Sequence, residues 1–562
     1  MVNKSETGRK WWDKLGKPQY GGEMVIRANK NITNFDPYFS ETLTSIYGGW
    51  MERLVSDDWT LDPAVWDYTM AWHPAKYMKG QLAESWEFID QSTHVVHLRK
   101  GIHWHNIPPA NGREFIADDV VFHFNRLFGL GGGFNKPSPF RKEIGFQDLL
   151  SVSAADKYTV VFKWKTTNYE FIMETLHGVM QGQCLANPEA VRQWGDVRDW
   201  HHAIGTGPFF LQDFVSDGSA TLVRNPDYWG VDERYPQNKL PYVDSIKYSI
   251  ISDDAFALAA MRAGKIDVMT GVSALDAQTM RNTNPEILQT RNEGTQALTI
   301  QIKNDKAPFN DIRVRKAMQM AIHLPAIAKD YYHGLVDPYP STITSRSLKG
   351  WGFPYDEWPQ ELKDEYAYNP AAAKKLLAEA GYPNGFKTNV VADTAWDMDL
   401  IRLIKTYFAQ VGIDMEIRPM EHNAMLTFVE VERKHDLVWR EYGPLGHTYA
   451  PLGAIARFHS RHLPNLLMVS DPVFDAFYPK ALAATSEDEL KPIMRDANER
   501  AARQHFAISL LQPMSYALCQ PWLKGFHGQI HSVWMGMGGP SKLSLYGARF
   551  WIDHKLKKSL GH

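Results

Sequence analysis

The chain has 562 residues, 44% apolar and 22% charged, with a net charge of −3. That length exceeds one hydrophobic core, which stops growing at roughly 250–300 residues, so two or three domains are expected. The near-neutral balance leaves no large field to hold nucleic acid or an anionic membrane, and no run reaches the roughly 18 apolar residues of a membrane span.

Residues 1–20 are polar and lack periodicity, and with Gly16, Pro18, Gly21 and Gly22 as punctuation they read as an N-terminal tether. Met24–Ala28 then begins a strand. Thr93–Leu98 and Tyr158–Trp164 are β-rich runs bounded by polar turns, as in strands half buried on a sheet. Between them, Ala117–Leu127 carries Asp118 and Asp119 in its first turn, where acids favour the positive end of an amphipathic helix. Gly129 to Lys136 is glycine-rich but lacks the spacing and hydroxyl of a phosphate loop, and reads as a mobile loop. In the second half, Asn369 caps a helix that Pro370 opens and Gly381 stops. Leu400, Ile401, Leu403, Ile404, Tyr407, Phe408 and Val411 recur at helical spacing, and Ile413, Met415 and Ile417 alternate as a strand. Ser486 to Glu489 forms a capping box opening a helix towards Phe506. Strands and helices alternate throughout, which sets the class as α/β or mixed.

Enzyme signatures are missing: no nucleophile elbow, no Walker loop and no zinc-binding His-Glu-x-x-His helix is present. His103-Trp104-His105 puts two imidazoles close together, but a metal site needs convergent ligands and a supporting shell, so a satisfied polar pair is the preferred reading and no metal or cofactor is expected. Asp57-Asp58 and Asp253-Asp254 read as solvated loops or caps. Cys184 and Cys519 are too few for a disulfide scaffold and read as isolated buried thiols. Aromatic residues make up 12% of the chain, with 19 Trp, more than packing requires, and hint at a stacking surface. One segment concentrates them. Leu437-Val438-Trp439 is a short apolar strand running into a loop with Arg440, Glu441, Tyr442 and His447, which offers stacking faces, a cation and an acceptor to one ligand. The alternative is a strand end with Trp439 in the core and Arg440 and Glu441 as solvated partners.

The order of several further motifs carries a resemblance. Asn34-Phe35-Asp36-Pro37, Leu82-Ala83-Glu84-Ser85-Trp86-Glu87, Leu98-Arg99-Lys100-Gly101, Gly205-Thr206-Gly207-Pro208-Phe209, Arg224-Asn225-Pro226-Asp227-Tyr228-Trp229 and Asn369-Pro370-Ala371 together resemble the large solute-binding proteins of ABC importers for oligopeptides, dipeptides and nickel, family 5 of the extracellular solute-binding proteins. That resemblance implies an α/β, two-lobed periplasmic-binding-protein fold with a hinge and an extra domain inserted in the first lobe. Carried onto this chain, lobe I takes residues 20–48, 200–296 and 515–550, the insertion 49–199, lobe II 297–514, and a C-terminal tail 551–562. It implies no catalysis: the protein captures a peptide-like or other small polar organic solute by lobe closure, acts as a monomer and serves ABC permease subunits. The site residues implied are Trp439, Arg440, Glu441, Tyr442 and His447, with Asn34, Phe35 and Tyr38 where the chain enters the cleft, and Phe134 and Phe140 in the glycine loop. Peptide-binding members carry an Asp in the loop after the strand matching Leu437-Val438-Trp439, which pairs with the peptide ammonium. Here no Asp occurs from Arg440 through Pro451. The family also usually has an acid where this chain has His323. Export requires a leader, and Met1 is read as replacing a signal peptide or lipoprotein leader, with the mature protein in the periplasm or at the extracellular face of the cytoplasmic membrane. A secreted glycan hydrolase and a chaperone-like peptide binder are the alternatives.

Overall fold

A computed structural model describes residues 10–562 apart from 33, 40–45, 67–73, 140–148, 166–171, 174–175, 177–183, 293–297, 345–347, 395, 441–450, 462–464 and 529–546. The described residues fall into two compact units. The first comprises those up to Asn292 and those from Tyr516 onward, and the second those from Leu298 through Ser515.

The first unit is built on a seven-stranded sheet, in the order Leu288–Asn292, Ser515–Cys519, Val268–Ser273, Glu23–Ala28, Ser245–Ile250, Ser219–Arg224 and Phe209–Val215. Glu23–Ala28 lies parallel to both neighbours, so Met24 and Ile26 are fully buried, as expected of a central parallel strand. Helices Asp254–Arg262 and Ala274–Thr283 place Leu258, Met261 and Met280 in one core with Met269 and Leu518. Asp253 and Ser273 cap them by accepting the amides of Phe256 and Asp276. Asp253 is thus the cap that the sequence offered, whereas Asp57 is buried rather than solvated.

The same unit holds a four-stranded antiparallel sheet, ordered Ala83–Phe88, Thr93–Leu98, Thr159–Trp164 and Leu149–Asp156. The helix Ala117–Phe128 buries Val120, Phe124 and Leu127 against it, and Asp119 accepts the amide of Ile116 at its start.

Residues 10–20, read from sequence as tether, pack on the first unit: Trp12 is buried, and the Tyr20 hydroxyl donates to the Lys239 carbonyl at 2.7 Å. The last residues also fold back. Trp551–Ile552 pairs with Leu523–Lys524, and His554, at the head of helix His554–Ser559, donates its amide to Gln19 at 3.3 Å. Cys184 and Cys519 are free and buried.

The second unit has a five-stranded sheet, ordered Ile413–Met420, Phe386–Asp393, Leu437–Arg440, Thr299–Ile302 and Ala507–Ser509. The helix Pro370–Glu379 is capped by Asn369, which accepts the Ala372 amide at 3.0 Å. Of the residues its spacing singled out, the helix Met398–Gln410 buries Leu400, Ile401, Ile404 and Phe408 and leaves Leu403 and Tyr407 partly buried. Helix Glu487–Gln504 is also present, but its box is offset: Ser486 accepts the Glu489 amide, and the Glu489 carboxylate reaches Thr485 rather than Ser486.

Candidate functional site

In the second unit, Phe386–Asp393 runs parallel to Ile413–Met420 and to Leu437–Arg440, so all three carboxyl ends meet at one sheet edge. Open α/β sheets bind ligands outside such ends. Trp439 lies in this edge, in register with Ala392, and is fully buried among Ile300, Leu400 and Ile401 of the main core. Its indole N–H donates to the Asp397 carbonyl at 3.0 Å. Asp397 in turn caps the helix Met398–Gln410 through the amides of Asp399 and Leu400, and accepts the Tyr331 hydroxyl at 2.7 Å. Beside it, Trp396 donates to the buried Asp393 at 2.8 Å. Trp439 therefore has the placement of the packing alternative, and it fixes the strand end from which Arg440 leaves. The Arg440 backbone is held opposite Thr299. Its side chain, and Glu441, Tyr442 and His447, lie outside the described residues.

Asn34, Phe35 and Tyr38 are brought together in the first unit. Asn34 accepts the Asp36 amide at 2.9 Å, and its carbonyl accepts the Tyr47 hydroxyl at 2.6 Å. Phe35 is buried, with its ring 5.0 Å from Phe214 in an edge contact. Tyr38 lies half-buried over the Arg126 guanidinium at 4.8 Å, and burial pushes its phenol up from the usual range. The Tyr38 hydroxyl reaches the carbonyls of Lys136 and Pro137 at 3.2 and 3.1 Å, tying this segment to the end of the glycine loop. Phe134 instead turns back onto Phe122 at 5.3 Å, closed by paired backbone bonds with Gly131. Phe140 lies outside the described residues. Of the ten candidates, the partly exposed Asn34, Tyr38 and Phe134 have atoms open to solvent, whereas Phe35 and Trp439 are core.

The two imidazoles of His103 and His105 are satisfied separately. His103 Nδ1 lies 2.7 Å from the Gly112 carbonyl, while buried His105 spans Gly205 and Gly207, accepting the Gly205 amide at Nδ1 and facing the Gly207 carbonyl with Nε2 at 3.1 Å. No group of three or more potential ligands is positioned for a metal among the described residues.

Sequence reasoning passed over Asp397 and Tyr331, which set the strand edge, and Glu52, which is fully buried. Glu52 accepts Tyr228 at 2.8 Å and Trp229 at 3.0 Å. Burial raises its carboxyl above the usual range against those two bonds. Asp397 was legible as a cap before a periodic helix. Glu52 had no local signal.

Residues 78–451 match the family model of bacterial extracellular solute-binding proteins, family 5, middle region. The chain belongs to this family. It is 26% identical over 466 residues to heme-binding protein A of Haemophilus influenzae, covering 79% of this chain and 81% of that protein. It is 28% identical over 358 residues to the dipeptide-binding protein of Escherichia coli, covering 60% and 62%. The fold matches the periplasmic binding protein DppA of Helicobacter pylori, solved with the peptide STSA, at a TM-score of 0.75 and 21% identity over 96% of this chain and 99% of that one. The two-lobed periplasmic-binding-protein fold expected from the motifs is thus the fold of this chain. Its members are binding proteins of ABC importers rather than enzymes, and solute binding for such an importer is the function of this chain.

Proposed function

We propose that this protein captures a peptide-like solute bearing a carboxylate and lacking a free α-ammonium, without catalysing any change in it. The observation that carries this reading is the position of Arg440. It is the last residue of a strand whose carboxyl end is locked by the buried Trp439 and Asp397, and it opens a loop with no Asp through Pro451. A guanidinium in that position favours a carboxylate, which it binds bidentately. The names of the relatives, which include a heme-binding and a dipeptide-binding protein, support a small organic ligand.

Capture proceeds by lobe closure: a solute that binds the closed state better shifts the population towards it. The protein works as a monomer, delivers to ABC permease subunits, and resides in the periplasm or on the outer face of the cytoplasmic membrane. Among the described residues no helix is long and apolar enough to cross a membrane.

The test is a thermal-shift and calorimetric panel of di- and tripeptides, their N-acetylated forms and their C-terminal amides. Acetylated peptides binding at least as well as free ones, with amides lost, supports the reading. Tight binding of free peptides only, or indifference to the carboxylate, overturns it.

A further inference from the structure

The whole-chain charge of −3 conceals a local asymmetry that only the fold creates. The segment from Lys10 to Gly22, the hairpin Val231–Lys239 and the C-terminal helix His554–Ser559 are far apart in sequence but packed together. Tyr20 bonds Lys239, Tyr235 donates to the Gly16 carbonyl at 3.2 Å, His554 lies 3.3 Å from the Tyr20 carbonyl, and Gly16 sits against Trp551. Exposed Lys14, Lys17, Lys239, Lys555 and Lys558 are carried by these three segments, and among the described residues none of them forms an ion pair with a carboxylate. The acids of the same region have partners of their own: on the hairpin, Asp232 pairs with Arg234 and Glu233 with Arg549. Asp13 accepts the Lys10 amide, Asp244 accepts the Gly22 amide and pairs with Arg224, and Asp553 caps the terminal helix.

The same segments also expose apolar groups. Tyr20 is 46% exposed, Val231 44% and Leu560 41%. Val231 pairs directly with Lys239 across the hairpin. Half-buried Trp11, in the first of these segments, packs edge-on to His527. Unpaired ammonium groups interleaved with aromatic and aliphatic side chains match the chemistry of an anionic bilayer surface, where lysines meet headgroup phosphates and amphipathic rings sit at the interface.

We propose that this face, built by the two chain ends and the hairpin between them, docks on anionic phospholipid. The surface is independent of which solute the protein captures, and it orients the first unit towards the membrane. A small overall negative charge is no obstacle, because charges beyond about 10 Å are screened at physiological salt and only the local set is felt.

The experiment is co-flotation of the full chain with vesicles of phosphatidylglycerol in phosphatidylcholine, and with phosphatidylcholine alone, at low salt and at about 0.5 M salt. The comparison variant carries Lys14→Glu, Lys17→Glu, Lys555→Glu and Lys558→Glu, all exposed positions, with its thermal unfolding midpoint as the check on folding. The wild type is expected on the anionic vesicles at low salt, with the bound fraction falling about tenfold or more in the variant or at high salt. Equal partition of wild type and variant, binding to phosphatidylcholine alone, or binding of the wild type to heparin but to neither vesicle overturns the proposal.

Discussion

Arg126 grips Asp36 with both terminal guanidinium nitrogens, at 2.9 and 2.6 Å, and the two side chains are 6% and 0% exposed. Asp36 also accepts the amides of Tyr38 and Val197, so its charge is fully met inside the protein. One carboxylate thereby joins the Asn34–Tyr38 turn to the helix Ala117–Phe128 and to the chain beyond Asp196. Removing one partner strands a buried charge, so Asp36→Ala is expected to cost about 3–5 kcal/mol, and Asp36→Ala with Arg126→Met less than the sum of the two single changes. Urea unfolding of the four proteins measures the coupling.

Gly205 and Gly207 are required by close approach. A Cβ on Gly205 would lie 1.7 Å from the Trp50 carbonyl oxygen, and one on Gly207 2.7 Å from the Trp50 carbonyl carbon. Backbone cannot yield as a flexible side chain can, so Gly205→Ala is expected to lose about 3 kcal/mol or more, read as a lowered thermal midpoint.

His94 sits between strands with neither ring nitrogen hydrogen-bonded, stacked on Phe88 at 4.5 Å, and burial lowers it to about 3. His105, buried between Gly205 and Gly207, is lowered by burial to about 4. Both are neutral in the folded state and protonate in the unfolded chain near 6.5, so the unfolded chain binds more protons as pH falls below that value. Stability is therefore complete above about pH 6.5 and declines towards pH 4, by about 2 kcal/mol for each histidine at pH 5. His94→Leu removes an unsatisfied polar group and is expected to raise stability by about 1–2 kcal/mol while flattening this decline, as followed by denaturation at pH 7 and pH 5.

His323 does a cap's work with a ring nitrogen, accepting the Ala326 amide at 3.1 Å. His323→Asp or His323→Asn keeps an acceptor there and is expected to change stability by under about 0.5 kcal/mol, whereas His323→Ala costs about 1 kcal/mol. Thermal melts of the three variants distinguish them.

Trp439 and Arg440 are adjacent in sequence but are expected to fail differently. Trp439→Ala empties a fully buried site and removes the bond to Asp397, costing about 3–5 kcal/mol of stability. Arg440→Ala is expected to leave the unfolding transition nearly unchanged while weakening solute binding by about tenfold or more, a difference visible when melts and calorimetry are run on both variants.

Helix positions and their caps were legible because their signals are local: Asn369, Ser486 and the 3.6-residue apolar spacing act within one or two turns. The family was legible because its motifs recur in order. The role of those motifs was not, since each works by meeting another distant in sequence. Asp36 needs Arg126, Glu52 needs Tyr228 and Trp229, and the Gly205 to Gly207 turn needs His105 and Trp50. The candidate site divides in the same way. The segment after Leu437 was found by composition, but composition cannot tell a stacking Trp from a core Trp, and burial of Trp439 was decided by the strands and helix packed around it. The basic face shows the reverse case. Its lysines are unremarkable along the chain, and only the meeting of both chain ends on one unit makes them a surface, because charge acts through space rather than along sequence.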